Sequence, residues 1–378
     1  MHPRRTVIDI FLTISIMLCS VLGAVCDLLS VFMLTIRSFR NEDPPRLLEL
    51  WRKTQQSRDR FASLLALSRN QLQSQILGLP MLDNRSIMLA FEHKTPVGYI
   101  HTTLAPADHK HSFDPTTGQI CFLCVIPTYH DVPGAAATLI SAAEEYLSGL
   151  GVQTIYGGSP SPSAPFYTGL YGGGEAIGIL HSDQAIVKVF HAANYQVYQK
   201  TRWFHFDLRH YSPAVTLETI SYYAELAIEI HEVPEANTWW EGCIQTNGIW
   251  FDAMAYQVQT NRPIARLRIR ISYPDTENIL AMYGGNWLAS LIELRVHPDF
   301  DNDGTKKYLL EETIRYLATQ NQVSQIEAHV AEDSLLFALL HSQSWEERDS
   351  GYVFVKKMNN NNGEASHPAG IEPDPQSP

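Results

Sequence analysis

The stretch that decides the fold is Gly118–Gly149, GQICFLCVIPTYHDVPGAAATLISAAEEYLSG. Ile120 to Ile126 is apolar, with β-branched and aromatic members, which predicts a buried strand. Pro127 ends it. Gly134-Ala-Ala-Ala then opens a helix whose small residues let the backbone approach a ligand closely. Free N–H groups at a helix start, together with the positive end of the helix dipole, make an anion site of the kind that takes phosphate. Glu144, Glu145 and Tyr146 fall late in the helix, away from that end.

Val125-x-Pro127, a short loop, Gly134-x-Ala136 and then Leu139 resemble the signature segment of the GNAT acetyltransferase superfamily, V-x-P followed by [R/Q]-x-x-G-x-[G/A] and a helix. Two positions depart from it: Asp131 stands where Arg or Gln is usual, and Pro133 contributes no N–H. The resemblance implies an α/β fold, a central mixed sheet flanked by helices, with acetyl-CoA or another acyl-CoA as co-substrate and no metal. It implies cofactor-binding roles for Cys124, Val125, Val132, Gly134, Ala135, Ala136 and Ala137. Backbone N–H groups near Cys124–Val125 would polarise the thioester carbonyl, and an amine would attack it directly.

Working outward, the same order of elements occurs twice. In the first half, strands over 86–92 and 97–104 form a hairpin around His93-Lys-Thr-Pro96, followed by the signature segment and a short strand at 153–157. In the second half, 250–258 and 264–271 form a hairpin around Asn261-Arg-Pro263. Val296-His-Pro298 mirrors Val125-Ile-Pro127, and Gly304 mirrors Gly134. This is the pattern of a tandem duplication. The expected organisation is an extension over 1–32, a GNAT-like domain over 33–208, a linker over 209–216, a second, degenerate GNAT-like domain over 217–358 and a polar, Pro-rich tail over 359–378. A helix is expected over 218–230, and another over 72–82. In the second half Asp301 and Lys306 occupy the loop, a pattern read as a lost cofactor site, and Glu293 reads as a structural or surface carboxylate.

The first half's extra piece, residues 158–181, is rich in Pro, Ser and Gly but carries Phe166, Tyr167, Leu170 and Tyr171. It reads as a loop shaping the substrate pocket. Family members place a Tyr general acid where Phe190 stands, so that role is vacant or falls elsewhere; Tyr171 and His191 are the catalytic candidates, with Tyr167 and His181 beside them. His101, His109 and His111 read as exposed loop histidines, since no carboxylate or Cys joins them at ligand spacing. Cys121 and Cys124, three apart on a strand, should point to opposite faces as packed core thiols.

Composition narrows the function further. A chain of 378 residues with 45% hydrophobic content has room for about two domains with real cores. A net charge of −12 argues against nucleic acid or an anionic membrane as the main partner, and leaves a small-molecule or peptide amine. Five cysteines without framework spacing indicate a reducing compartment, and the reading is cytoplasmic. Arg4 and Arg5 precede 17 uncharged residues, Ile10–Cys26. They read either as an upstream mis-start or as a signal or membrane anchor, the latter at the short limit for a span. The alternative to an N-acetyltransferase is a catalytically degenerate pair acting as an acyl-CoA-binding or protein-interaction module.

Overall fold

The computed structural model describes residues 34–56, 68–107, 111–129, 134–158, 166–167, 178–212, 222–233, 236, 238–245, 248–272, 287–320, 322–343 and 345–358. The extension over 1–32, the tail over 359–378 and His109 fall outside them. Among the described residues no helix is long and apolar enough to cross a membrane.

The first half runs β1 (Leu34–Ser38), α1 (Pro44–Gln56), α2 (Arg69–Leu72), β2 (Ile87–Glu92), β3 (Thr95–Pro106), β4 (Phe113–Val125), α3 (Ala135–Gly149), β5 (Thr154–Gly157), β6 (Ile179–Leu180), α4 (Gln184–Ala192) and β7 (Gln196–Asp207). The second runs β8 (Leu226–Glu232), α5 (Trp239–Ile244), β9 (Ile249–Gln257), β10 (Arg262–Ser272), β11 (Trp287–Val296), α6 (Asp303–Thr319), β12 (Val323–Ala331), α7 (Leu335–Ser342) and β13 (Glu346–Lys357). Two expectations change here. Of the helix expected over 218–230, residues 218–221 lie outside the described residues, 222–225 are helical, and 226–230 belong instead to β8, because Leu226, Ile228 and Ile230 alternate with period two. The helix expected over 72–82 instead spans Arg69–Leu72, continues as a π turn over Gln73–Leu77, and stops at Gly78.

All the described strands join one mixed sheet, in the order β1-β2-β3-β4-β5-β13-β7-β12-β11-β10-β9-β8, with β6 pairing β13 beside β5. The two halves have exchanged their last strands. β5 of the first half pairs not with β7 but with β13, Gly157 opposite Phe354, while β7 pairs with β12 of the second half, His205 opposite Glu327. Trp203 and His329 face one another in register near the join, their rings 5.2 Å apart edge to face.

Helices α3 and α4 cover one face of the first half's sheet, burying Ala143, Leu147, Ile186 and Phe190 with Ile120, Leu123 and Val125. On the opposite face α1 and α2 bury Leu47, Leu50, Trp51 and Leu72 against Phe122 and Cys124. We call this the front face. Asp43 anchors α1 there. Its fully buried carboxylate accepts from Arg37 Nη1 at 2.6 Å, Arg46 Nη1 at 2.6 Å and the Arg40 N–H at 2.8 Å. Burial raises its pKa, but those bonds outweigh it and hold the group down at about 2.

Because β13 is the inner neighbour of β5, a chain ended at residue 343 is expected to lose cooperative folding in both halves. The full chain should melt in one transition by circular dichroism; two separate transitions would contradict the exchange as a folding constraint.

Candidate active site

The site begins with a break in strand pairing. β4 runs parallel to β5 only from Thr117 to Ile120, and Gly158 N–H closes the last bond to the Ile120 carbonyl. At the same point β4 carries a bulge against β3: His101 pairs Phe122 while Thr102 pairs Ile120, so Cys121 is the extra residue. An extra residue reverses the alternation of a strand. Ile126 N–H bonds to the Val97 carbonyl, so Cys124 and Phe122 also turn their backbone toward β3. Leu123 and Val125 then turn their N–H groups away from β3, toward the gap where β5 has ended.

The bulge also corrects the reading of the two cysteines. Cys121 and Cys124 do not point to opposite faces: both are buried in the front cluster with Phe122. Cys124 Sγ lies 3.0 Å from Thr54 Oγ1, which donates to the Leu50 carbonyl.

The gap is a cleft of about 350 Å³ including its open mouth, lined by Cys121, Phe122 and Leu123 on one side and Gly178, Ile179, Leu180, Asp183 and Ile186 on the other. Its far wall, β6, is held by β13, with Leu180 opposite Gly351 and Ile179 opposite Tyr352. The chain leaves β5 and returns to β6 through a pinched neck. Gly158 and Gly178 both have positive φ, and a side chain at Gly158 would meet the Gly178 backbone at 2.7 Å.

Between these glycines the described Phe166 and Tyr167 reach the front of β4. Tyr167 stacks on Phe122 with ring centroids 4.8 Å apart, and the Phe122 ring in turn lies 4.7 Å from that of Trp51. Its hydroxyl lies 3.0 Å from His101 Nδ1, and Phe166 packs on the same imidazole at 4.3 Å. Tyr167 holds φ 64°, a strained value for a bulky side chain, so the stack and this bond fix a conformation the chain would otherwise leave. His101 is thus not a loop histidine. It is fully buried on β3, and burial pushes its pKa down to about 3. The signal was present: His101 stands inside the apolar run Val97–Leu104, where a strand must bury alternate residues.

Gly134, with φ 124°, caps α3, and a side chain there would meet nothing nearer than Thr138 Oγ1 at 3.6 Å. Ala135 and Ala136 are buried beneath the first turn and Ala137 is exposed. The structure therefore sets the Leu123–Val125 backbone and the open Gly134–Ala137 helix start on consecutive elements. Val132 and Tyr171 lie outside the described residues. His191 is not brought to the cleft: it is exposed in the last turn of α4, its ring edge on to Phe354 at 5.1 Å. Phe190 is core, stacked on Phe354 at 5.2 Å. His181, exposed beyond β6, has Nδ1 3.1 Å from the Tyr352 hydroxyl. No group of ligands able to hold a metal occurs among the described residues.

The second half repeats the break but fills the positions differently. β10 and β11 carry the matching bulge, Arg268 opposite Glu293 and Ile269 opposite Leu291, and β11 pairs β12 only as far as Leu291. Its helix start is occupied by its own side chains. Asn302 Oδ1 accepts from Thr305 N–H at 2.8 Å, Lys306 pairs with Asp301 at 2.9 Å and Asp303 at 3.2 Å, and Tyr222 lies so close over Gly304 that a Cβ there would overlap its hydroxyl. Where the first half has Tyr99, His101 and Phe122, the second has Arg266, Arg268 and Glu293. Arg266 donates to Glu293 at 2.6 Å, and Arg268 to Asp252 at 2.8 Å.

No family model matches the sequence, and no curated protein is detectably similar to it. Solved structures are similar in fold. A tandem GNAT protein from the clavulanic acid biosynthesis pathway superposes with TM-score 0.59 at 13% identity, covering 86% of this chain and 98% of that one. A GCN5-related glucosamine N-acetyltransferase region of a fungal multi-domain GH3 β-N-acetylglucosaminidase gives 0.60 at 16% identity, covering 86% of this chain and 38% of that one. A GCN5-related N-acetyltransferase from Sphaerobacter thermophilus gives 0.57 at 11%, covering 86% and 95%. The chain has the tandem GCN5-related N-acetyltransferase fold.

Two outcomes test the anchor at Tyr167. Tyr167→Phe strips the buried Nδ1 of its partner and should cost about 1–3 kcal/mol in denaturant unfolding. His101 protonates far less readily folded than unfolded, near 6.5, so its contribution is whole above pH 6.5 and is lost as pH falls toward 3, at up to about 1.4 kcal/mol per pH unit. His101→Gln should flatten that slope between pH 6.5 and 4; an unchanged slope would contradict the assignment.

Proposed function

We propose that this protein is an N-acyltransferase that uses acetyl-CoA or another acyl-CoA in the cleft of its first half and transfers the acyl group to an amine. The observation that carries the reading is the contrast between two copies of one design. Among the described residues the first half's gap in β4 is open and nothing lies over its helix start at Gly134, whereas the second half's helix start is covered by Tyr222 and internally paired through Asn302, Asp301 and Lys306. On this reading the pyrophosphate rests on the N–H groups at Gly134–Ala137, at the positive end of α3. The pantetheine arm enters between β4 and β6, and the N–H groups of Leu123 and Val125 draw charge from the thioester carbonyl as the amine adds. The amine nitrogen forms the new C–N bond, the C–S bond breaks, and the amine's proton leaves to solvent while the thiolate departs as free CoA. The acyl-CoA supplies the activated acyl group; the chain supplies its orientation and a dry cleft.

Titration of acetyl-CoA into the wild-type protein tests this. Micromolar affinity is expected. Ala137→Glu places a carboxylate in the exposed first turn of α3, where it favours the helix, so stability should hold while binding weakens at least about tenfold through repulsion of the pyrophosphate. No binding by folded wild-type protein would overturn the reading and leave the pair as an interaction module.

A further inference from the structure

β7, β12 and β13 meet at His205, which pairs Glu327 on β12 and Glu346 on β13 and is buried between them. Its two ring nitrogens have three partners. Nε2 lies 3.1 Å from Gln325 Oε1. Nδ1 lies 3.0 Å from Arg348 Nη2 and 3.1 Å from Glu346 Oε2. The two contacts at Nδ1 make opposite demands. A guanidinium only donates, so Arg348 requires a bare lone pair on Nδ1; an ionised carboxylate only accepts, so Glu346 requires a proton there. One nitrogen cannot meet both at once. In the neutral imidazole the proton sits on Nε2 and is donated to Gln325, while Nδ1 accepts from Arg348. In the imidazolium Nδ1–H donates to Glu346, and Arg348 loses its acceptor and faces a like charge.

Arg348 is also the extra residue of a bulge: Glu347 pairs Phe204 while Asp349 pairs Trp203. Its bond to His205 therefore pins the bulge. The segment that follows holds the far wall of the first half's cleft. Asp349 Oδ2 accepts from Ser182 Oγ at 2.6 Å, the Ser350 carbonyl accepts from His181 N–H at 2.8 Å, and Gly351 and Tyr352 pair Leu180 and Ile179.

Among the described residues, the other titratable groups on this face of the three strands are Asp207, held by Arg209 at 2.6 Å, Glu327, and His329, whose Nε2 is 4.0 Å from Glu327 Oε2. Arg202, on the opposite face, engages Glu332 and Glu347. Burial and the Arg348 cation hold the His205 pKa below its ordinary 6.5, against the pull of Gln325 and Glu346, so the form bonded to Arg348 is the one present at neutral pH. The Glu346 side chain is 64% exposed, which gives a proton from solvent a route to Nδ1.

We propose that His205 is a proton-driven switch at the strand exchange: on acidification Nδ1 trades Arg348 for Glu346, the β13 bulge is released, and the β6 wall of the first half's cleft loosens. The switch acts on the wall and does not rest on what the cleft binds.

Two measurements on the full chain test it. In nitrogen-15 spectra of histidine-labelled protein, with the His205 signal assigned by its loss in His205→Gln, the ring should carry its proton on Nε2 at about pH 7.5 and titrate below about 6.5. Arg348→Met should raise that midpoint by about one pH unit. In hydrogen–deuterium exchange corrected for the intrinsic effect of pH, residues 179–182 and 349–352 should exchange at least about threefold faster at about pH 5 than at about pH 7.5. His205→Gln should abolish the difference, and Arg348→Met should exchange fast at both values. A proton on Nδ1 at neutral pH, exchange of these residues that is indifferent to pH in the wild type, or an equal acid response in folded His205→Gln would each overturn the proposal. Were His205→Gln not to fold, an Arg348→Met variant exchanging as slowly as wild type at about pH 7.5 would overturn it as well.

Discussion

The exchange of terminal strands is the constraint on which the rest of the structure depends. β5 has only four residues and could not hold its place as an edge. It is fixed because β13, the last strand of the chain, pairs along it and then continues beyond Gly157 to hold β6. The far wall of the first half's cleft is therefore set by residues some 170 positions later in the sequence, as the register Leu180 opposite Gly351 records. In return β7 seals the inner edge of β12 in the second half. Each half lends the other the strand that closes its sheet, so neither site can be described from one half alone.

Within that frame, a single extra residue does the rest. The bulge at Cys121 turns β4 just where β5 stops pairing, and it reverses which backbone groups look into the gap. The second half keeps the same bulge and gap. Divergence is confined to what surrounds them. In the first half an aromatic front of Trp51, Phe122 and Tyr167 meets a helix start that no described residue covers; in the second, ion pairs among Arg266, Arg268, Asp252 and Glu293 meet one that is covered. Duplication followed by unequal filling accounts for one backbone plan with two different interiors.

Much of this was legible in the sequence, and what was not has physical reasons. Val125-x-Pro127 with Gly134 and Val296-x-Pro298 with Gly304 marked the strand–helix units and the repeat, because Pro and Gly enforce their conformations locally. The strand exchange was invisible, since period-two patterning gives a strand its faces but not its neighbours. The bulge hid the true facing of Cys121 and Cys124, because alternation holds only for an unbroken ladder. His101 was misplaced by its chemistry: a histidine in a buried strand betrays itself only through the apolar residues around it. Residues 226–230 read as the end of a helix over 218–230 because their apolar residues satisfy a short helical pattern as well as an alternating one. His191 followed from sequence proximity to Phe190, and the helix turns its ring away from the cleft toward Phe354.

The central claim is that one half of a duplicated fold holds the acyl-CoA and the other does not. Hydrogen–deuterium exchange of the full chain with and without acetyl-CoA tests this most directly, since it reads both halves in one sample. The account predicts slowed exchange over residues 121–126 and 134–138 and no change over 292–306. Equal protection of both segments, or protection of 292–306 alone, would contradict it.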